Sequence, residues 1–231
     1  VINMCDESSN DMFSEDLTNA IMDRLERKEQ VILFQNRRGY SSFVQCQKCG
    51  ELLKCVNCEI SMYYHRDREE LHCHYCGNNH PVPRKCPHCG SFTFSYGAAG
   101  TQKVEQMLQI KFPTAKVFRL DSDTGVKKSI YKMMHDRMKS KEIDILLGTQ
   151  MISKGLDFPG VTLVGVINAD ISLNVPDFRA SERTFQLLTQ VAGRSGRGDI
   201  HGEVIIQTFN PSHYAIEHAS RQDFNGFAEE E

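Results

Sequence analysis

At 231 residues the chain is long enough to bury a sizeable core, and its length suits one or two domains. Hydrophobic residues make up 40% and charged residues 25%, which are ordinary values for a globular protein, and no apolar run approaches the about 20 residues that span a bilayer. The net charge is −3, but residues 31–228 hold 24 Lys or Arg against 19 Asp or Glu. Global charge therefore excludes no class of partner, and binding of phosphate would depend on local clusters.

The start of the chain carries no signal-peptide pattern and begins with Val, from which we expect a piece of a longer cytoplasmic protein. Residues 1–13 are acid-rich and match no motif, so we expect a linker or disordered lead-in. Beyond them, apolar runs alternate with amphipathic stretches. The predicted strands are 31–35, 115–120, 144–148, 161–167 and 203–209. The predicted helices are 15–28, 101–112, 127–140, 179–192 and 213–224.

This alternation predicts an α/β lobe, discontinuous over 14–45 and 91–228, with a mainly parallel sheet covered by helices on both faces. Functional residues in such sheets gather in loops at the carboxyl ends of the strands. Backbone N–H groups at 99–102, at the start of a predicted helix, are suited to holding a phosphate. We expect four polar or glycine-rich loops to share one edge of the sheet, namely NRRG (36–39), AAGT (98–101) after the strand-like FSYG (94–97), TQMISKGLDFPG (149–160) and NAD (168–170).

Eight of the nine cysteines lie between residues 46 and 90 as four C-x-x-C pairs. The missing signal peptide and the strict spacing argue against a disulfide framework, whereas two such pairs supply four sulfurs to one tetrahedral ion. Glycine follows the second cysteine at Gly50, Gly77 and Gly90, where a positive φ would let the turn fold around the sulfur. We therefore predict that 46–90 is a zinc-binding insertion with two structural Zn²⁺ ions, and that Cys5 is a free thiol.

The four pairs can be matched in a neighbouring, an interleaved or a nested way. Fourteen residues separate Cys58 from Cys73, close to the usual spacing of a zinc ribbon, and this favours the nested way. An outer site would then clamp the neck of the insertion. The first site would be Cys46, Cys49, Cys86 and Cys89, and the second Cys55, Cys58, Cys73 and Cys76. The histidines at 72, 74, 80 and 88 could substitute as ligands, but eight thiolates already satisfy two ions, so we expect them to be surface or supporting groups.

The segment QVAGRSGRG (190–198) places two arginines three residues apart among glycines. Arg194 and Arg197 in so compact a turn suit a phosphate or a carboxylate, because a guanidinium donates bidentately and keeps its charge. A salt bridge to a core carboxylate is the alternative. The phosphate-cradling pattern G-x-x-x-x-G-K-[ST] does not occur in the sequence.

Six motifs, in their order along the chain, closely resemble the second motor lobe of the primosomal replication-restart DNA helicases, the PriA family (primosomal protein N′). They are NRRGY (36–40), GTQKVEQML (100–108), LDSDT (120–124), GTQMISKGLDFPGV (148–161), PDFRASERTFQLL (176–188) and QVAGRSGRG (190–198). The four cysteine pairs stand where that family inserts its zinc-binding region. The resemblance covers roughly 14–227 and implies a RecA-like helicase C-terminal lobe with an inserted zinc-ribbon-like subdomain.

The resemblance implies an ATP-dependent superfamily 2 DNA helicase that unwinds in the 3′-to-5′ direction, recognises stalled or abandoned replication forks and restarts replication by primosome assembly. Its implied partners are branched or single-stranded DNA, primosome proteins and single-strand-binding proteins. The implied location is the bacterial cytoplasm, in association with the nucleoid and with no membrane. ATP and Mg²⁺ would bind only together with a first lobe that carries the Walker motifs, so the isolated chain is expected to be inactive.

The resemblance also implies roles for single residues. Arg194 and Arg197 would act as arginine fingers on the γ-phosphate, and Gln190 would position water, nucleotide or a neighbouring motif. Nucleotide-facing residues would be Lys154, Gly155 and Asp157. Contacts to the DNA backbone would come from Arg37, Arg38, Gly100, Thr101, Thr149 and Gln150. For the two arginines at 37 and 38, a structural ion pair is an equal alternative.

Two positions depart from the family pattern: Leu156 replaces a more polar residue, and Asn168 removes a charge from D-x-D. Asp170 is expected to tie loops together. YYHR (63–66) puts aromatic and basic groups on the loop of the inner site, suited to base stacking or simply to solvent. The rival interpretations are a zinc-ribbon DNA-binding or scaffold module without a motor, and another superfamily 2 fork-remodelling helicase. The paired arginines disfavour the first rival, and the four cysteine pairs disfavour the second.

Overall fold

The computed structural model of the chain describes residues 1–7, 11–35, 43–65, 67–96, 100–121, 128–149, 158–175, 177–193 and 202–231. Its strands are β1 (Ile2–Asn3), β2 (Gln30–Phe34), β3 (Val44–Cys46), β4 (Tyr63–His65), β5 (Glu70–His72), β6 (Asn79–Pro81), β7 (Phe94–Tyr96), β8 (Val117–Leu120), β9 (Ile145–Gly148), β10 (Val161–Val166) and β11 (Glu203–Thr208). Its helices are α1 (Glu15–Glu26), α2 (Thr101–Lys111), α3 (Lys128–Lys139), α4 (Asp170–Leu173), α5 (Ala180–Ala192), α6 (Tyr214–Arg221) and α7 (Phe224–Glu230).

Six of these strands form one parallel sheet in the order β1-β11-β10-β2-β9-β8. Alternate side chains of β2 pack into two separate hydrophobic cores, one on each face of the sheet. Val31 and Leu33 pack with α1 and α2, whereas Ile32 and Phe34 pack with α3, α5, α6 and α7. Because side chains alternate along a strand, a continuous apolar run is what a sheet covered on both faces requires. The predicted parallel sheet with helices on both faces is confirmed.

Helix α1 begins at a serine cap and packs on the centre of the sheet. The hydroxyl of Ser14 accepts the N–H of Leu17 at 3.1 Å, which satisfies one free donor of the first turn. Leu17 lies over Gly165 of β10, where an added Cβ would come within 2.9 Å of its Cδ1. A glycine in the middle of the strand therefore permits the close approach of the helix.

Two parts of the lobe differ from the predictions. In the lead-in, Ile2 and Asn3 pair with β11 as the edge strand β1, because edge pairing needs only backbone groups and tolerates an acid-rich surrounding. The predicted helix 213–224 ends early, because α6 stops at Arg221 and a separate helix, α7, begins at Phe224. Gln222 ends α6 with a left-handed φ of 54°, and the side chain of Asp223 then caps α7 by accepting the N–H of Gly226 at 2.9 Å.

The cysteine-rich region, residues 43–96, has its own two sheets. Strands β3 and β7 pair antiparallel where the region leaves the lobe, and β4, β5 and β6 form an antiparallel sheet of three strands. The prediction that the FSYG run ends at the edge of the main sheet is wrong, because Phe94–Tyr96 pairs with β3 instead. The two strands form the neck, since both ends of the region meet there. None of the helices in the described ranges has the length and hydropathy needed to cross a membrane.

Candidate functional site

Four cysteine sulfurs come together at the neck of the cysteine-rich region. The Sγ atoms of Cys46 and Cys89 lie 3.6 Å apart, and those of Cys49 and Cys86 lie 3.7 Å apart. All four sulfurs lie within 4.8 Å of one another. A tetrahedral ion with Zn–S bonds of about 2.3 Å holds its sulfurs about 3.8 Å apart, whereas a disulfide joins sulfurs at about 2.05 Å. This outer group therefore has the spacing of a metal site.

A second set of four sulfurs lies further from the neck. Cys55, Cys58, Cys73 and Cys76 converge within 4.8 Å, and the Sγ atoms of Cys55 and Cys76 lie 3.6 Å apart. This inner group is nested in sequence inside the outer one, as the ribbon spacing predicts. Both groups can hold a metal ion, and all eight cysteines are free of disulfides.

Each of the four cysteine pairs closes with the same turn. The residue after the second cysteine has a positive φ of 71° at Gly50, 75° at Gly77 and 71° at Gly90, so the predicted left-handed turn is confirmed at all three. Glu59 occupies the fourth equivalent place with a φ of 58°. In every turn the N–H of this residue donates to the carbonyl of the first cysteine at 2.8 or 2.9 Å. The turn folds the chain around the sulfurs of each pair.

Side-chain amides supply further donors to the inner group. Asn57 Nδ2 lies 3.9 Å from Cys76 Sγ, and Asn78 Nδ2 lies 3.7 Å from Cys55 Sγ. Donation from the backbone N–H of Asn57, together with Asn78, lowers the pKa of the Cys55 thiol to about 6, whereas the hydrogen bond with Cys76 raises the pKa of the Cys58 thiol to about 12. Sequence reasoning missed these contacts, because asparagine is common in turns and its position carries no signal of its target.

The outer group rests against the carboxyl end of β11. A Cβ on Gly50 would lie 2.2 Å from the Cβ of Phe209, so the turn and the lobe are in close contact there. Asp170 accepts the N–H of Phe209 at 2.8 Å and the hydroxyl of Thr208 at 2.9 Å, and burial raises the pKa of its carboxyl. Asn168 Oδ1 in turn accepts the Asp170 N–H at 3.0 Å. The expected tie between loops is confirmed, and it joins β10 to β11 beside the outer group.

The start of α2 is held by a buried polar cluster. Gly100 is its N-cap, and the Thr101 side chain is fully buried. The Thr101 hydroxyl and the Arg119 guanidinium both donate to buried Asp121, and Arg119 Nε also pairs with Glu105 at 2.9 Å. The carboxylate of Asp121 faces the positive end of the helix. A DNA phosphate at this helix would therefore contact backbone N–H groups and not the Thr101 side chain.

Two of the other predicted site residues lie within the described ranges. Thr149 is 7% exposed directly after β9, and Gln190 is half-buried in the last turn of α5. Eight further predicted residues lie outside the described ranges, namely Arg37, Arg38, Gln150, Lys154, Gly155, Asp157, Arg194 and Arg197.

The tyrosines of YYHR are not on a loop, and that prediction is wrong. Tyr63 and Tyr64 lie on β4 and point to opposite faces of the three-stranded sheet. The ring of Tyr63 packs 5.0 Å from Phe43 between ring centroids, and the ring of Tyr64 packs 4.8 Å from Tyr96. Pairing with β5 turns both rings toward neighbours within the chain.

A cleft of ≈ 750 Å³ separates the neck of the cysteine-rich region from the carboxyl edge of the main sheet. Carboxamides line it from both sides, and each can donate and accept hydrogen bonds. Lys103 of α2 contributes a positive charge, and Phe94 and Tyr96 contribute aromatic rings. The carboxamides are those of Gln35, Gln45, Gln47, Gln102, Asn168 and Asn174. The carboxyl groups of Asp11 and Asp170 also line the cleft, but Asp11 pairs with Lys111 at 2.7 Å and Asp170 accepts hydrogen bonds from Thr208 and Phe209. The amides, Lys103 and the rings can therefore contact a nucleotide chain.

Two protein families match parts of this sequence. Residues 92–199 match the helicase conserved C-terminal domain, and residues 55–81 match the PriA DNA helicase Cys-rich region (CRR) domain. The second match spans the inner cysteine group, and the first begins just before β7 and includes the segment 190–198.

Curated relatives match nearly the whole chain. The replication restart protein PriA of Bacillus subtilis is 50% identical over 220 residues, which are 95% of this chain and 27% of the relative. The replication restart protein PriA of Chlamydia pneumoniae is 44% identical over 223 residues, 95% of this chain and 30% of the relative. The chain thus spans about a third or less of the length of these relatives.

Among solved structures, Mss116p DEAD-box helicase domain 2 bound to an RNA duplex is 14% identical, with a TM-score of 0.47 over 91% of this chain and 54% of that one. The Bacillus and Chlamydia relatives share far more of the sequence, and they share it across the lobe and the cysteine-rich region together. The chain is a homologue of the part of replication restart protein PriA that combines a helicase C-terminal lobe with a Cys-rich region.

Proposed function

We propose that the chain is the second motor lobe, with its metal-binding insertion, of an ATP-dependent 3′-to-5′ DNA helicase that recognises stalled or abandoned replication forks and restarts replication by primosome assembly. The observation that carries this proposal is that a PriA-type cysteine-rich region, residues 55–81, directly precedes a helicase C-terminal domain, residues 92–199, in one chain. A zinc ribbon without motor activity would not require the helicase domain matched by residues 92–199. The corresponding lobe of another superfamily 2 helicase would not be expected to contain two nested cysteine groups.

The nucleotide site of this proposal is shared between two lobes. Arg194 and Arg197 stabilise the charge that builds on the γ-phosphate of an ATP·Mg²⁺ held by a first lobe. Gln190 precedes them on the last turn of α5, which is anchored by buried Leu188 and Val191. That anchoring supports a fixed starting point for the arginine segment. Nucleotide-facing roles are proposed for Lys154, Gly155 and Asp157.

The DNA path of this proposal follows the carboxyl edge of the main sheet. Backbone N–H groups at Gly100 and Thr101 and the residues Thr149, Gln150, Arg37 and Arg38 contact the phosphates of a single strand. The amide-lined cleft, with Lys103, supports this placement because it opens beside the start of α2. Branched DNA, primosome proteins and single-strand-binding proteins are the proposed partners.

Both cysteine groups are proposed to hold structural Zn²⁺. Four thiolates at tetrahedral spacing suit zinc, and a closed four-sulfur site leaves no position for a substrate. The ions therefore stabilise the fold of the cysteine-rich region, and the chemistry of the motor takes place elsewhere.

The proposal is tested in a chimaera in which this chain replaces the matching region of the Bacillus subtilis relative. Arg194→Ala and Arg197→Ala are each expected to lower DNA-stimulated ATP turnover about 10³-fold or more, the usual contribution of an arginine finger. DNA affinity should stay within about twofold, because the arginines face nucleotide and not DNA. Arg221→Ala, on the exposed surface of α6, is the matched control and should leave turnover unchanged.

Two results would contradict the proposal. Normal turnover in both arginine variants would make these residues structural. Substantial ATP hydrolysis by the isolated 231-residue chain would show that no first lobe is needed. A chimaera that binds DNA without any hydrolysis, while the unmodified relative hydrolyses ATP, would favour the passive binding module.

A further inference from the structure

One face of the three-stranded sheet in the cysteine-rich region gathers imidazoles. In the antiparallel register, Tyr63 stands opposite His72, and His65 stands opposite Glu70. Residues that are directly opposite share a face, and alternate residues of one strand share it too. His74 follows two residues after His72 and contacts the rings of Tyr63 and His65. The other face carries fully buried Leu71, whereas His74 beside the histidine face is exposed.

Two of these imidazoles point their ring nitrogens at each other. The Nε2 atoms of His65 and His74 lie 3.4 Å apart. One neutral ring can donate its N–H to the other, although the distance is longer than the about 2.7–3.2 Å of an ordinary N–H hydrogen bond. The distance equals the about 3.3–3.4 Å that separates two nitrogens on a tetrahedral ion with Zn–N bonds of about 2.0–2.1 Å. The pair is therefore spaced for chelation.

The surroundings of the pair favour a cation. The ring of His72 lies 4.5 Å from that of His65 between centroids, and Glu70 Oε2 lies 3.4 Å from His72 Nε2. A carboxylate beside the pair offsets the charge of a divalent ion. Imidazole nitrogens suit zinc and its neighbours in the first transition row. The eight cysteines are already grouped around two other positions, so they do not compete for this one.

We propose that His65 and His74 form a third metal site, an exchangeable site for Zn²⁺. Within the described ranges, only the two cysteine groups bring three or more ligand atoms together, so this ion has two protein ligands. Water fills its remaining positions. His74 lies on the exposed surface, which leaves those positions open to solvent and the ion free to exchange, unlike an ion enclosed by four thiolates.

The test uses the whole chain with its two cysteine groups already loaded with zinc. Equilibrium dialysis against graded free Zn²⁺ should reveal a third equivalent that binds more weakly than the first two. His65→Gln and His74→Gln should each raise the free zinc needed for half-occupancy at least about tenfold. The retained two equivalents show that each variant is folded. Proton NMR signals of the His65 and His74 rings should shift as the third equivalent binds.

His80→Gln is the matched control. His80 lies on the same sheet but stands opposite Leu71, and so points to the other face, with its Nδ1 2.9 Å from the carbonyl of Pro81. It should bind the third zinc as the unmodified chain does. The inference is overturned if the unmodified chain stops at two equivalents, or if the third equivalent survives in the His65→Gln/His74→Gln double variant. Loss of the third equivalent in His80→Gln alone would also overturn it.

Discussion

Gly50→Ala tests how firmly the cysteine-rich region is seated on the lobe. Two separate costs follow from the structure. Gly50 has a φ of 71°, and placing an alanine in this left-handed region costs about 1–2 kcal/mol. The new Cβ would also stand 2.2 Å from the Cβ and 2.7 Å from the Cγ of Phe209, and relieving such overlap costs about 1–3 kcal/mol. We expect a total destabilisation of about 2–5 kcal/mol.

The chain contains its own controls for this experiment. Gly77 and Gly90 occupy the same place in their turns, with φ of 75° and 71°, but an added Cβ there meets nothing within 4 Å. Gly77→Ala and Gly90→Ala should therefore show only the backbone cost of about 1–2 kcal/mol. The assay is urea unfolding of the zinc-loaded protein, followed by release of metal to a coloured chelator. Equal destabilisation of all three variants would refute the contact between the outer turn and Phe209.

Three further outcomes are expected. Asp170→Ala should lower the free energy of unfolding in urea by about 1–3 kcal/mol, because the buried Thr208 hydroxyl and the Phe209 N–H lose their acceptor. An effect no larger than that of an alanine substitution at an exposed residue would contradict the tie between β10 and β11. Removing metal with a chelator should abolish hydrogen-exchange protection in β4, β5 and β6, because the fold of the cysteine-rich region depends on its ions, while β2, β9 and β10 should stay protected. Retention of protection in all six strands would count against metal-dependent folding. The His218 ring lies within hydrogen-bond distance of Glu230 at 3.0 Å and of Asp223 at 3.1 Å, and these contacts raise the pKa of His218. The stability that they contribute is therefore complete below about pH 6.5 and is lost as the pH rises through the raised pKa. The difference in unfolding free energy between the unmodified chain and His218→Gln should accordingly shrink from about pH 6 to about pH 8, and a constant or growing difference would show that the ion pairs contribute nothing.

Local patterns in the sequence predict much of this structure. The strand 161–167 and the helix 179–192 are recognisable because a strand buried on both faces is continuously apolar and a packed helix repeats its apolar residues at 3.6 positions. The nested grouping of the cysteines follows from the spacing between Cys58 and Cys73, because a ribbon of that length returns its second pair to the first. The positive φ at Gly50 follows from the turn around a sulfur.

Contacts between segments that are distant in sequence are not predicted by local patterns and are known only from the tertiary structure. Phe94–Tyr96 has the composition of a strand, but nothing within it specifies β3 as its partner. Gln222 ends α6 by adopting a backbone conformation that its residue type rarely takes, so no local pattern predicts the break. The seating of the outer turn on Phe209 joins residues 159 positions apart.

The candidate site likewise has features that local sequence predicts and features that only the tertiary structure decides. Its metal-binding chemistry is readable in the sequence, because the cysteine pairs are local and two such pairs suit one tetrahedral ion. The roles of the paired arginines and of the glycine-rich loops stay predictions. The approach of His65 Nε2 to His74 Nε2 and the donation from Asn78 to Cys55 are decided only by strand register and turn geometry. Register depends on the packing of side chains such as Leu71 from several segments at once, and that information is not contained in any one segment.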